Sequence, residues 1–536
     1  MRTTVPNGKL RLLLISLHGA AHLQPYTLNV LSIGAAAYES DIAKHLDISL
    51  LGCDNNSMSE AELAASVLNR RPDVIGISVF VWNMTFIGRL LPLIRKEDSQ
   101  VVIVLGGRSV LQFGKAEGRL FHDADLFVCG EGEEVIVDLL RAVLCSGSRQ
   151  VALQAAKSIR GVLTGPDLDA RPKEVAVVDL ARVVSPYVPS RLGGRPSFFD
   201  TVAGSYDYVW MELSRGCAFR CAFCSYDLLG KGFRPVPTER IRQELAVLST
   251  KNVKRLLIVD SVCGGAKADA IHALQCLEEQ PLCYRVRGNT RKTFVHAFFR
   301  PEFFDKEYSG AVARSGVDLV QLGLQTVNPA VSPEIRSNNL SLILENVPNL
   351  HACSLRCQVD LILGLPGDDL AGLKESVRFV IERMRPLAVR IHKLTVTEGS
   401  RLWTMCESRG TSWLRYDVTT GKVLSSYSFS QDDLTYMEAF CSFVMDLYVY
   451  MTHNNWLGRE EEFRCLDFFE RLFDMVLQMH CPEARRLLAR YNEFEKTADV
   501  HAVLRQLGMT VPENHVVPDI YGMHRVMEDM KSAQPL

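Results

Sequence analysis

The chain has no apolar stretch approaching the roughly 20 residues that cross a bilayer. The short apolar run Leu12–Leu17 near its start is not followed by a small-residue cleavage pattern. We therefore expect neither a membrane span nor a signal peptide, and read this run as a strand. No long basic run occurs and the net charge is only −2, so neither nucleic acid nor an anionic membrane is an expected partner. A disulfide framework is missing too. The 15 cysteines are scattered and odd in number, the pattern of reduced thiols in a cytoplasmic enzyme. With 536 residues, 47% hydrophobic and 23% charged, the chain can form two or three domains with large cores and no covalent staples.

From Lys9 to about Cys145, apolar runs alternate with helical spacing: "KLRLLLISL", "DISLLGC", "PDVIGISVF", "QVVIVLGG" and "DLFVCGEGE" are separated by helix candidates. Continuous apolar strands between helices predict a doubly wound parallel sheet covered on both faces. Ligands of such sheets sit beyond the carboxyl ends of the strands. Gly106, Gly107, Gly130 and Gly132 lie there, either admitting a large flat or phosphorylated ligand close to the backbone or simply making tight turns. His18 and His22 lie in the first such loop, as a candidate metal ligand or as hydrogen-bonded loop residues. Residues 146–205 read as a connection with a small hairpin from "GVLTGPD" to "VAVVDL".

A second strand–helix series spans residues 206–405, with strand candidates "YDYVWMELS", "VKRLLIVD", "CYRVRGN", "VDLVQLGLQT", "RCQVDLILGLPG" and "LAVRIHKLTV". About six such units predict a full or partial (β/α) barrel, with its chemistry at the carboxyl ends of the strands. There, directly after the first strand, stands "SRGCAFRCAFCSY", with Cys217, Cys221 and Cys224 and no fourth cysteine nearby. Three thiolates can hold three irons of a 4Fe–4S cluster and leave the fourth open to a substrate or cofactor. Zinc with a distant fourth ligand, or three unrelated buried thiols, are the alternatives. Residues 406–536 show helical spacing and many aromatics, read as a helical C-terminal domain with a bundle core.

The run "CAFRCAFC" matches the C-x3-C-x2-C signature of radical S-adenosylmethionine enzymes. Together with "PDVIGISVFVWN", "VIVLGG", "CGEGEE", "LGLQT" and "VDLILGLPGD", in this order, the chain resembles their cobalamin-dependent class over roughly residues 10–405, closest to the subgroup with a further helical C-terminal domain. The resemblance implies an N-terminal cobalamin-binding domain over 1–145 and cluster ligation by Cys217, Cys221 and Cys224. It implies S-adenosylmethionine at the open iron, with Phe223 and the Tyr226 backbone at the adenine. Asp260 and Ser261 would stand where the family receives the amino group, and Gln325 and the Leu363–Gly367 turn with Gly364 would line the rest of the cofactor. By residue type alone, Asp260 also suits a helix N-cap and Gln325 a turn. Arg287 and Asn289 stand in the third-strand region where relatives often carry an acid. The D-x-H-x-x-G signature that supplies a cobalt-ligating histidine is absent; "SLHGAA" from Ser16 keeps only the histidine. We therefore expect cobalamin with its tail displaced and no protein histidine on cobalt. The "VFVWN" loop, with Trp82 and Asn83, would cover the lower corrin face, or Trp82 would be plain core.

The activity so implied is methylation of an unactivated carbon of a small-molecule, natural-product substrate by way of a 5′-deoxyadenosyl radical and methylcobalamin. An external electron donor such as flavodoxin or ferredoxin would supply the electrons. Three alternatives stand beside it: rearrangement such as ring contraction, a methylthiotransferase using Cys53, Cys129 and Cys145 for a second cluster, and a non-catalytic cobalamin or redox sensor.

Overall fold

The computed structural model describes residues 8–18, 25–54, 57–113, 119–167, 174–226, 232–418, 420–454, 465–489 and 497–509. The first sheet contains β1 (Leu10–Leu17), β2 (Leu46–Cys53), β3 (Val74–Ser78), β4 (Val102–Gly106), β5 (Leu126–Val128) and β6 (Val162–Thr164), in the order β2-β1-β3-β4-β5-β6. The first five run parallel. Successive β1 residues face opposite sides: Leu12 and Leu14 enter the core beneath the helices Leu28–Tyr38 and Glu133–Leu144, while Leu13 and Ile15 enter the core beneath Glu60–Asn69 and Met84–Glu97. Strand order reverses between β1 and β3, which opens a ligand crevice above their carboxyl ends.

Among the described residues, the hairpin expected within 146–205 is not formed. Val162–Thr164 instead pairs antiparallel with β5, and Ala176 bridges to Gly130. The open edge of a short β5 offers unpaired backbone groups that β6 satisfies, so the first domain runs on past residue 145.

The second sheet contains β7 (Tyr208–Met211), β10 (Arg255–Ile258), β13 (Phe294–Phe299), β14 (Leu319–Gln325), β15 (Cys357–Leu363) and β16 (Ala388–Lys393). All are parallel in that order, with β7 and β16 as edges, so the barrel is partial. Between its first two strands, β8 (Ser214–Arg215) and β9 (Arg234–Pro235) pair antiparallel at the base of the cysteine loop. The expected third strand, "CYRVRGN", is not part of the barrel. Its residues form β11 (Cys283–Val286), paired with β12 (Asn289–Lys292) in an outlying hairpin. A central parallel strand needs both faces apolar; Cys283 and Arg285 are exposed, whereas Val295, His296 and Ala297 of β13 are buried.

The boundary expected at residue 405 falls inside the helix Arg401–Arg409, and an unanticipated hairpin of β17 (Leu414–Tyr416) and β18 (Val423–Ser426) follows it. The helix Gln431–His453 then lies along the edge strand β16. The Ile391 N–H donates to Met445 Sδ at 3.0 Å and the Tyr448 hydroxyl to the Pro386 carbonyl at 2.8 Å, so a strand edge open to misassembly is covered. Phe473, on the helix Leu466–Leu477, packs its ring against Tyr436, Phe440 and Phe443.

Candidate active site

The cysteine loop is anchored at three places. The Ala222 N–H donates to the Ile335 carbonyl at 3.0 Å, and the Leu402 N–H donates to the Ala222 carbonyl at 2.8 Å. Ser261 Oγ donates to the Gly216 carbonyl at 2.6 Å. Gly216 has φ +84°, and a Cβ there would lie 1.9 Å from the Gly232 carbonyl oxygen, so only glycine closes the loop. Two sulfurs accept donors: Cys221 from Arg336 Nη1 at 3.1 Å and Cys217 from the Phe219 N–H at 3.4 Å. Burial pushes the Cys224 thiol up, against a hydrogen bond from the Tyr226 backbone. Among the described residues, no three His, Cys, Asp or Glu side chains converge tightly enough to share one metal ion. Three sulfurs on one anchored loop are a donor set that would hold three irons of a cluster.

A cavity of about 650 Å³ opens beside this loop, between the two sheets. From the first domain it is lined by His18, Phe80, Trp82, Gly106, Gly107, Gly130 and Gly132, and from the second by Gly216, Ser225, Tyr226, Asp260 and Ser261. Its lining also includes the apolar residues Leu14, Ile33, Val104, Val128 and Ile136. A largely apolar cavity at the carboxyl ends of the first sheet's strands suits a large ligand such as a corrinoid.

The first-domain residues divide sharply. Trp82 is 65% exposed and stacks on Phe80 with centroids 4.6 Å apart and planes 4° from parallel, so it is not core. Asn83, expected beside it at the corrin face, is wholly buried and spends its amide on its own loop. Its Oδ1 accepts from the Phe80 N–H at 2.8 Å, and its Nδ2 donates to the Ser78 and Leu17 carbonyls at 3.1 and 3.4 Å. Asn83 holds the loop that presents Phe80 and Trp82. Gly107 and Gly130 have φ of +93° and +115°, and a Cβ on Gly130 would sit 2.2 Å from the Ala176 carbonyl oxygen. Backbone packing therefore requires these two glycines whatever the cavity holds. His18 reaches the cavity edge-on to Trp210 of β7, with ring centroids 6.2 Å apart; His22 lies outside the described residues.

Asp260 is not a helix cap, since the following helix begins at Lys267. Its carboxylate accepts from the Leu213 N–H at 2.8 Å, Ser214 Oγ at 2.5 Å and the Gly264 N–H at 3.0 Å, tying the loops after β7 and β10. Burial pushes this carboxyl up to about 7 despite those bonds. Gln325 sits at a register shift ending β14, with φ +75°, a strained conformation for a side-chain-bearing residue. Gly364 faces Leu434, Val423 and Phe429 of the C-terminal segment, and Phe223 packs into the core. These three do not line the cavity. Arg287 stands in the β11–β12 turn at φ +49° and Asn289 begins β12, so both belong to the outlying hairpin and not to a barrel strand.

Residue patterns did not point to the charged groups that join the domains at the cavity. Arg215 donates to Glu133 Oε1 at 2.5 Å and to Glu212 Oε1 at 2.8 Å. Arg234 pairs with Glu131, whose other oxygen accepts from the Val178 N–H at 2.8 Å. Burial opposes ionisation of Glu212, but Arg215 and Arg240 outweigh it and hold its pKa below the usual range. The Arg108 guanidinium lies 3.7 Å over the Tyr226 ring. The acids of "GEGEE" were the available signal, directly at a strand end.

The three N-terminal cysteines of the two-cluster alternative are apart. Cys53 and Cys129 are buried in one core, while Cys145 ends the helix Glu133–Leu144, about 18 Å from its start at 1.5 Å per residue.

Residues 19–140 match the family model of the B12 binding domain, and residues 211–380 that of the radical SAM superfamily. The chain is 24% identical over 346 residues to the cobalamin-dependent radical SAM methyltransferase TokK of Streptomyces tokunonensis, covering 62% of this chain and 48% of that one. It thus spans about half the length of that relative. Among solved structures, the apo form of the cobalamin-dependent S-adenosylmethionine radical enzyme OxsB aligns over 98% of this chain and 84% of its own, with TM-score 0.63 and 14% identity. The radical S-adenosylmethionine methyltransferase TsrM of Kitasatospora setae, with cobalamin and a [4Fe-4S] cluster bound, aligns over 87% of this chain and 99% of its own, with TM-score 0.60 and 13% identity.

Proposed function

We propose, for this member of the cobalamin-dependent radical S-adenosylmethionine enzymes, that it methylates an unactivated carbon of a small molecule. The observation that carries the reading is the single cavity. The strand ends of the B12-binding sheet and the residues flanking Cys217 and Cys224 open into one space of about 650 Å³. When bound, S-adenosylmethionine on the cluster supplies the hydrogen-abstracting radical and cobalamin supplies the methyl group. The protein's part is to hold and aim. Cys217, Cys221 and Cys224 hold the cluster, with Arg336 donating to the Cys221 sulfur. Asp260 and Ser261 keep the loop in shape at the cofactor's edge. Tyr226 faces S-adenosylmethionine, and Phe80 and Trp82 with Gly106, Gly107, Gly130 and Gly132 face the corrinoid. Gln325, Gly364 and Phe223 act from behind the cavity wall. The electron comes from an external donor protein, and the chain works as a soluble cytoplasmic enzyme; no helix among the described residues is long and apolar enough to cross a membrane.

Methyl transfer is favoured over rearrangement because TokK and TsrM are both described as methyltransferases. The test is turnover of candidate substrates with methyl-deuterated S-adenosylmethionine and a reductant. Methylation gives S-adenosylhomocysteine and 5′-deoxyadenosine together, with a product carrying the labelled methyl. An unlabelled product formed without substrate-dependent S-adenosylhomocysteine overturns it in favour of rearrangement.

A further inference from the structure

The loop that carries the three cysteines belongs to the barrel, yet the first domain grips it on both sides. Two residues before Cys217, Arg215 is bonded to Glu133 at 2.5 Å and lies 3.7 Å from Glu131. Two residues after Cys224, the Tyr226 ring lies beneath the Arg108 guanidinium at 3.7 Å. Glu131 also takes Arg234 on β9, the strand that pairs with β8 to close the base of the loop. The gripping residues stand on firm supports. Arg108 follows Gly107, whose backbone packs on Val79, and Glu131 follows Gly130, whose backbone packs on Ala176. Glu133 begins the helix Glu133–Leu144 and is 8% exposed. Arg215 is also held by Glu212 of its own domain, at 2.8 and 2.9 Å, so losing Glu133 leaves the guanidinium paired and removes the tie to the first domain.

Contacts meant only to glue two domains together could fall anywhere on their interface. These fall on the residues framing the cluster ligands, and they come from the loops after β4 and β5 that wall the corrinoid crevice. We propose that Glu133 and Arg108 are positioning residues. They fix the cysteine loop, and with it the iron that the three cysteines leave open, at a set place relative to the crevice of the first sheet. The inference rests on the cofactor assignment proposed above. One S-adenosylmethionine site then serves two outcomes, methyl transfer to cobalt and one-electron cleavage, and the placement of the loop sets their ratio.

The test uses the full chain with Glu133→Gln, Arg108→Gln and the charge-conserving Arg108→Lys. In cofactor-free protein, hydrogen–deuterium exchange of peptides within 214–226 should quicken at least tenfold in Glu133→Gln and Arg108→Gln. Peptides from β1 and β15 should keep wild-type rates, and Arg108→Lys should restore most of the loop's protection. In protein loaded with cluster and hydroxocobalamin, given S-adenosylmethionine and titanium(III) citrate as the electron source, S-adenosylhomocysteine records methyl transfer. Methionine with 5′-deoxyadenosine records cleavage. The ratio should shift at least fivefold in both glutamine variants at unchanged iron and corrinoid content. Wild-type loop exchange together with a wild-type ratio in both variants overturns the proposal. If Glu133→Gln does not fold, the half-buried Arg108 carries the test. If the wild type binds no cluster or corrinoid, the cofactor reading fails, and the exchange of the empty protein still decides whether the first domain holds the loop.

Discussion

Trp82 and Asn83 are adjacent and were expected to do the same thing, and the structure separates them completely. The indole is exposed to the cavity and stacked on Phe80, while the amide is wholly buried in three backbone hydrogen bonds. Their alanine variants should therefore fail differently. Trp82→Ala should cost the fold about 1 kcal/mol or less but weaken hydroxocobalamin binding roughly tenfold, the worth of one aromatic contact. Asn83→Ala should cost about 2–3 kcal/mol by stranding buried backbone groups, read in a thermal melt of the corrin-free protein. Equal losses of stability in the two variants would contradict this division. Asp260 gives a pH dependence. Burial raises its folded pKa from the ordinary carboxylate value to about 7, so its contribution is fully present below the unfolded pKa and is lost as pH rises through 7. Urea unfolding of the cluster-free protein should weaken by roughly 1 kcal/mol per pH unit between pH 5 and 7 from this group, and Asp260→Asn should flatten that slope. At this scale the three cysteines stand out in the sequence because their spacing lies along one loop. Glu131, Glu133, Arg215 and Arg108 were not, because each finds its partner in the other domain and nothing adjacent in sequence marks the pairing.

Elements show the same division between local and distant causes. The parallel strands β1, β3 and β4 are recognisable because strands buried on both faces are apolar throughout. The third barrel strand was misplaced because "CYRVRGN" alternates as a half-exposed hairpin strand does, and the true strand β13 begins only two residues after the hairpin ends. β6 was misassigned because its partner is the edge of β5, a choice made by the sheet and not by residues 162–164. The four glycines were read either as admitting a ligand close to the backbone or as making tight turns; at Gly107 and Gly130 the close neighbour is protein backbone. Gly130→Ala would drive a Cβ to within 2.2 Å of the Ala176 carbonyl oxygen at φ +115°. We expect it to destabilise the first domain by on the order of 3 kcal/mol and to lower corrinoid retention with it. Gly106, whose Cβ would meet only Val128 at 3.7 Å, should tolerate alanine in a melt. A melt unaffected by Gly130→Ala would mean that the β5–Ala176 packing is not formed.

For the whole molecule, two sheets meet with their carboxyl ends facing one cavity, and the C-terminal helix Gln431–His453 covers the barrel's outer edge at β16. That the chain has two sheets of this kind could be read from its periodicity; that they face each other could not, since the relation lies in the charged residues at their seam. The central claim is that the cluster site and the corrinoid site share that space. The most direct measurement is electron paramagnetic resonance of anaerobically loaded protein in the cob(II)alamin state, before and after reduction of the cluster. A shared cavity predicts that cluster reduction splits or broadens the cob(II)alamin lines by spin–spin coupling, and that the effect vanishes when Cys217, Cys221 and Cys224 are all changed to alanine. A cob(II)alamin spectrum unchanged by reduction of a cluster present at full iron content would contradict it.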